Sequence, residues 1–401
     1  MPELLPFEEA LKAIEDGASQ LVASEAIPLM DSLNRIAAQD ICAQQAVPAF
    51  DNSAMDGYAF RIEDWQSDKR FPVSQRIPAG YAPERLTPNT CARIFTGANI
   101  PTGANIVVMQ EEADVSKQSV RFPFSKSNSP KQGDNIRPKG QDIQLGQTVL
   151  AKGTKITPMH IGLLSSLGLT ELKVFKPLRV GILTTGDELV PAGHPLQKGQ
   201  IYNSNGPMLM ALVRHSGYVV ANCLHAEDTS EATEKAITEL LQCSDVILSS
   251  GGVSVGEEDH VKSILQKLGS VHLWKIAIKP GKPLVHATLS GIPFLGLPGN
   301  PSSTLVTYHW FARRLLAKSA GQSLTCDRPY PVIAGFSREK TIKRDEFIRV
   351  AIGDDGLAYA HPQQSSGALL AACESQGYLH IKAHSNVEYG NHYDFYPFTG
   401  F

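Results

Sequence analysis

From Leu178 to Gly321 the chain alternates strand-like and helix-like segments, and no other feature limits its fold as tightly. "LRVGILTTG", "YVVANCL", "DVILSSGG" and "IPFLGLPG" are short runs rich in β-branched and apolar residues. Interleaved with them are "NSNGPMLMALVRHSG", "TSEATEKAITELLQCS", "EDHVKSILQKLG" and "PSSTLVTYHWFARRLLAKSAG", which read as helices with Ser, Thr, Asn or Gly near their ends. Strands separated by helices pair in parallel, and the crossovers cover both faces of the sheet. The expected fold is multidomain α/β plus β, with a central open, mostly parallel α/β sheet domain over residues 177–326. Ligands of such sheets bind beyond the carboxyl ends of the strands.

The flanking sequence has other textures. Residues 47–137 begin with the turn-rich "VPAFDNSAMDGYAFR" and continue as short β-like pieces, so a small, mostly β domain is expected there. Residues 1–46 read as helical: "FEEALKAIEDGA" is one helix, and "IPLMDSLNRIAAQDI" supports a second starting at Asp31 or Ser32. Residues 138–176 hold a further helix, with Thr157 as cap and Pro158 in its first turn. Neither 1–46 nor 138–176 has much core of its own, so the two are expected to pack together as an arm. Residues 327–401 return to β texture around a short helix at "SSGALLAACES", which suggests a small barrel or sandwich.

The totals exclude several function classes. With 37 basic residues against 40 acidic ones, no broad nucleic-acid footprint is expected. Cys42, Cys91, Cys223, Cys243, Cys326 and Cys373 form no C-x-x-C pair, which argues against a zinc site and a disulfide framework and fits a reducing cytoplasm. The acidic start lacks the pattern of a signal peptide, and no apolar run is long enough to cross a bilayer.

Four loops at predicted strand ends carry chemistry. "TTGDELV" has Gly186 for a tight turn, preceded by Thr185 and followed by Asp187 and Glu188. "SSGGVSVGEED" joins Ser250, Gly251, Gly252, Ser254 and Gly256 to Glu257, Glu258 and Asp259, just before a helix whose amino end favours anions. "KIAIKPGKPL" holds Lys275, Lys279 and Lys282; read as strand, it puts Lys275 and Lys279 on one side, facing one anion. "GLPGNPSST" runs through Pro298, Gly299, Asn300, Pro301, Ser302 and Ser303 into a helix, which makes a second anion nest. Singly, each has a plain structural reading: a surface turn, an acid cap, solvated lysines, a helix cap. Together, on one sheet edge, they mean something else. Carboxylates repel a phosphate unless a cation intervenes, and Mg²⁺ takes one or two carboxylates while sharing phosphate oxygens. The site therefore reads as Mg²⁺ with a phosphorylated ligand, and phosphoanhydride cleavage is the natural reaction class.

"FDNSAMDGYAFR", "RIFTGANIP", "TTGDEL", "IYNSN", "SSGGVSVGEEDHVK", "WKIAIKPGKPL" and "GLPGNPSST" resemble, in this order, stretches of the molybdopterin molybdenumtransferases of the MoeA type. The resemblance runs over nearly the whole chain. It implies insertion of molybdenum into adenylylated molybdopterin, with molybdate as metal source, Mg²⁺ as cofactor and AMP as leaving product. It further implies a cytoplasmic homodimer of four-domain subunits in which Asp56 completes the partner's site, with molybdopterin-synthesis enzymes and molybdoenzyme chaperones as partners. By position, Glu188, Asp228 and Asp259 resemble the acids of the Mg²⁺ and phosphate region, and Lys275 and Lys279 its oxyanion binders; Asp142 matches a further acid. The chain departs from the family pattern at Asn203 and Gln141, where acids are common, and at Asp345, where Thr is usual. Two alternatives are a molybdopterin adenylyltransferase, which is essentially the sheet domain alone, and a non-catalytic scaffold of the gephyrin kind.

Overall fold

A computed structural model of the chain describes residues 4–124, 130–253, 260–324 and 328–400. The chain forms two compact units, one of Met1–Ala38, Lys152–Ile156 and Leu172–Phe401, the other of Gln39–Ala151 and Thr157–Glu171.

The first unit is built on a six-stranded sheet of β1 (Arg179–Thr185), β2 (Val219–Ala226), β3 (Val246–Ser250), β4 (Gly269–Lys275), β5 (Pro283–Leu289) and β6 (Ile292–Leu297). Their order is β2-β1-β3-β6-β5-β4, with β2, β1, β3 and β6 parallel and β5 antiparallel to both its neighbours. Side chains alternate between two cores, as strand geometry requires. Val180, Ile182, Val246, Leu248 and Leu295 join Leu209 and Val213 of helix Asn205–His215 and the N-terminal helix Phe7–Gly17. Leu183, Ile247 and Phe294 face the other way, onto Ile237 and Leu240 of helix Ser230–Cys243 and Ile264 of helix His260–Leu268. The expected sheet with helices on both faces is thus present. The expected stops hold as well: Thr229 accepts from the Ala232 N–H, and Gly217 takes φ +93°.

The chain steps from β1 out to β2 and then returns across β1 to β3. That reversal opens a crevice between the carboxyl ends of β1 and β3, where this class of sheet binds ligands.

After β6 the chain enters a continuous helical stretch, Pro301–Thr307, a π-helical turn at Tyr308–Ala312, then Arg313–Ser319. It is buried on nearly every side; Trp310 meets Phe7 edge-on at 5.2 Å. The C-terminal strands Tyr330–Ala334, Asp345–Ile352, Leu357–Ala360, Gly377–Ile381 and His392–Pro397 close into a five-stranded barrel. That settles the barrel-or-sandwich expectation.

The second helix expected near the N-terminus is not formed. Ser24–Pro28 is a strand and Leu29–Ser32 a single 3₁₀ turn, in which the Ser32 hydroxyl donates back to the Leu29 carbonyl at 2.6 Å instead of capping a helix. The backbone from 34 to 38 is claimed by later segments: Ala37 N–H donates to Thr154, Ala38 N–H to Lys173, and Phe175 N–H to Ile36. Long-range strand pairing has overridden a weak helical period.

The second unit holds a six-stranded, mostly antiparallel sheet whose core has Phe60 stacked on Phe122 and Phe71 tilted against both, the mostly β fold expected. Its helix Pro158–Ser166 begins with the expected Thr157 cap, reinforced by the His160 side chain. Among the described residues no helix is long and apolar enough to cross a membrane.

Candidate functional site

Parallel pairing places the loop origins side by side. Thr184 is in register with Ser250, Ser250 with Leu297, and Thr185 with Ala226. The turns after β1, β3 and β6, and Asp228 just beyond β2, therefore share one rim. An open cleft of about 490 Å³ lies there, lined by Thr185, Gly186, Glu188, Asp228, Ser250, Gly251, Gly252, Pro298, Gly299, Asn300, Pro301 and Ser303 among others. Twelve of the site residues proposed from the sequence thus converge.

The turn after β3 needs its glycines. Gly251 and Gly252 adopt φ of +94° and +64°, and a Cβ on Gly251 would stand 2.9 Å from the Thr185 carbonyl oxygen. At Gly186 a Cβ would fall 2.3 Å from Glu188 Oε2, because the Glu188 carboxylate folds back over that turn. Asp187 and Asp228 clasp each other's backbone, Asp228 N–H donating to Asp187 Oδ1 at 2.9 Å and Asp187 N–H to Asp228 Oδ2 at 3.3 Å. Negative charge is concentrated at the mouth. Among the described residues no three His, Cys, Asp or Glu side chains form a metal cage. Mg²⁺ needs none: one or two carboxylates with water and phosphate oxygens suffice, and Glu188 and Asp228 fit that set.

Three parts of the sequence reading fare differently. The loop with Ser254, Gly256, Glu257, Glu258 and Asp259 lies outside the described residues. The lysine segment is not one strand. β4 ends at Lys275, and Ile278–Lys279 forms a separate short strand that pairs with Asp345 and Glu346 of the barrel. The same-face argument for Lys275 and Lys279 therefore fails, because pairing with two different sheets breaks the alternation between them. Lys279 Nζ makes an ion pair with Glu346 at 2.9 Å, Arg338 holds the same carboxylate, and none of the three lysines is among the cleft's lining residues. Ser302 is also turned elsewhere. Its hydroxyl donates to the Ala368 carbonyl at 2.9 Å and accepts from Arg349, and its N–H donates to Ser366.

Asn203, an acid position in the family pattern, does local work: its amide donates to Thr184 Oγ1 at 2.9 Å and accepts from the Gly206 N–H at 3.0 Å. Asn205, not singled out from the sequence, is nearly buried on the cleft wall; its place in "IYNSN" was the available signal. Thr185 Oγ1 and Asn205 Oδ1 are buried without a hydrogen-bond partner among the described residues.

In the second unit, Asp56 Oδ1 accepts from both the N–H and the hydroxyl of Thr96, each at 2.8 Å. Those bonds hold the carboxyl below its ordinary 3.8, so it stays ionised. Asp51 accepts from Lys139 N–H at 2.7 Å, and Ser53 exchanges backbone bonds with Gly97 and Ala98. "FDNSAMDGYAFR" is thereby laced to "RIFTGANIP" and to the stretch that holds Asp142, whose own N–H donates to Val47.

Three family models match the chain: the MoeA N-terminal region (domain I and II) over residues 5–168, the probable molybdopterin binding domain over 181–318, and the MoeA C-terminal region (domain IV) over 331–398. The molybdopterin molybdenumtransferase of Haemophilus influenzae is 41% identical over 81% of this chain and 80% of its own length. That of Synechococcus elongatus is 34% identical over 93% and 94%. The crystal structure of the molybdopterin biosynthesis MoeA protein from Pyrococcus horikoshii OT3 superposes with a TM-score of 0.85 at 27% identity, over 99% of this chain and 100% of that one.

Proposed function

Because the chain belongs to the molybdopterin molybdenumtransferase family, whose members insert molybdenum during molybdenum cofactor synthesis, we propose that the β1–β3 crevice binds adenylylated molybdopterin and Mg²⁺ and releases AMP as molybdate delivers the metal. One observation carries this reading: three glycine-bearing turns and two carboxylates line one cleft at the topological switch of the sheet. Bound Mg²⁺ would neutralise phosphate charge beside Glu188 and Asp228. The chain's own groups supply the rest. Gly251 and Gly252 let backbone approach the phosphates, and Asn300 and Ser303 line the same cleft. Asp259 is assigned to the same acid set. Lys275 and Lys279 are assigned to the oxyanion and Lys282 to the cofactor; Lys279 would exchange Glu346 for molybdate.

The same reading includes a homodimer in which Asp56 of one subunit serves the other's cleft, a cytoplasmic setting, and four domains per subunit. The family models' separate N-terminal, sheet and C-terminal regions support the last point. They also favour a molybdenumtransferase over an adenylyltransferase, which would need only the sheet domain.

Glu188→Gln should raise the Mg²⁺ concentration needed for molybdate-dependent AMP release about tenfold, and Lys279→Gln should raise the molybdate requirement instead. Unchanged titrations in both variants would remove the carboxylate and the lysine from the reaction.

A further inference from the structure

Asn205 presents an unusual balance of bonds. Its Nδ2 donates to Ser250 Oγ at 2.8 Å and to the Gly299 carbonyl at 2.6 Å. Ser250 in turn donates to the Pro298 carbonyl at 3.1 Å. A carbonyl can only accept, so the amide cannot be flipped: nitrogen faces Gly299 and Oδ1 is fixed as an acceptor. That oxygen has no partner among the described residues, although the residue is only 9% exposed. A buried acceptor left unpaired is costly, and an arrangement that fixes its orientation so firmly calls for a donor.

The charged groups of the cleft offer none. Glu188 and Asp228 carboxylates accept, and so do ionised phosphate oxygens. Thr185 Oγ1, a second buried cleft oxygen with no partner among the described residues, sits against the Gly251–Gly252 turn, where an added Cβ on either glycine would meet it within 3.0 Å. Leu189, Ile201 and Tyr202 also line the cleft, and the last two keep large exposed apolar surfaces. A flat ring suits that surface.

We propose that Asn205 is a substrate-binding residue whose Oδ1 accepts an N–H from the ring or exocyclic amine of a purine or pterin. This deepens the cleft assignment above and rests on it. The phosphates then occupy the glycine turns while the heterocycle lies along Ile201 and Tyr202.

The test is calorimetric titration of the full chain and of Asn205→Leu with AMP, with purine riboside 5′-monophosphate, which lacks the exocyclic amine, and with molybdopterin. If the donor is the adenine amine, the unmodified protein prefers AMP tenfold or more over the amine-free analogue, and Asn205→Leu loses that preference. If the donor belongs to the pterin, the two nucleotides bind alike and Asn205→Leu weakens molybdopterin tenfold or more. A folded Asn205→Leu that binds all three probes as the unmodified protein does overturns the inference. Should that variant not fold, Asn205→Ser, which keeps a small hydroxyl donor but has no oxygen at the Oδ1 position, is read by the same outcomes. Failure of the unmodified protein to bind AMP or molybdopterin is a separate result: it rejects the cleft assignment, and this inference with it.

Discussion

Arg349 shows how single residues fix this site. Its guanidinium is enclosed and donates to the carbonyls of Gln363, Ser365 and Ala368, at 3.0, 3.0 and 2.8 Å, as well as to Ser302. It thereby ties the start of the helix after β6 to the loop before the short helix Leu370–Cys373. Arg349→Leu would leave those carbonyls unpaired and should cost about 3–5 kcal/mol, read as a lower urea midpoint. An unchanged midpoint would show that water replaces the guanidinium. The glycines and acids of the rim were legible in the sequence because their chemistry is local: a positive φ and a carboxylate beside a turn need no knowledge of partners. Ser302 and Lys279 were not, since their partners, Arg349 and Glu346, lie far along the chain.

At the scale of elements, two devices stand out. The Thr157 cap accepts from His160 N–H while His160 Nδ1 accepts from Thr157 N–H. Thr157→Ala should therefore destabilise the protein by about 1 kcal/mol in urea denaturation; a loss near zero would mean that His160 alone suffices. The second device is the β5–β6 hairpin. Ser290 and Gly291 both take positive φ, 49° and 85°, the twist-matched form of a two-residue turn. β5 was missed in the sequence because "PLVHATL" follows a lysine-rich loop, although Ser-Gly between two alternating runs was a signal. On β5, burial and the neighbouring His272 hold His286 down to about 4. A histidine in an unfolded chain titrates near 6.5. Above about pH 6.5 this position is neutral in both states and its contribution is fully present. As pH falls from there towards about 4, the unfolded chain binds a proton that the folded one refuses, so stability should fall by about 3 kcal/mol. Denaturation at pH 7.5 and pH 4.5 measures this, and His286→Phe should flatten the difference; an equal slope in that variant would assign it to other groups.

The larger unit is organised around one reversal of strand order. Strand–helix alternation announced the sheet, and parallel pairing alone placed three of the four sequence-derived loops on one rim. The fourth was drawn towards the barrel by pairing of Ile278–Lys279 with Asp345–Glu346, which no local pattern in "KIAIKPGKPL" announces. The N-terminal segment was misread for the same reason, since its partners at 152–156 and 172–175 are distant in sequence. The most direct check on the account is a crystal structure of this protein soaked with AMP, Mg²⁺ and molybdate. The account predicts the AMP phosphate between the Gly251–Gly252 turn and the Asn300–Ser303 wall, with a cation bridging it to Glu188 or Asp228. Nucleotide bound away from this cleft, or a phosphate seated there with no cation beside those carboxylates, would contradict it.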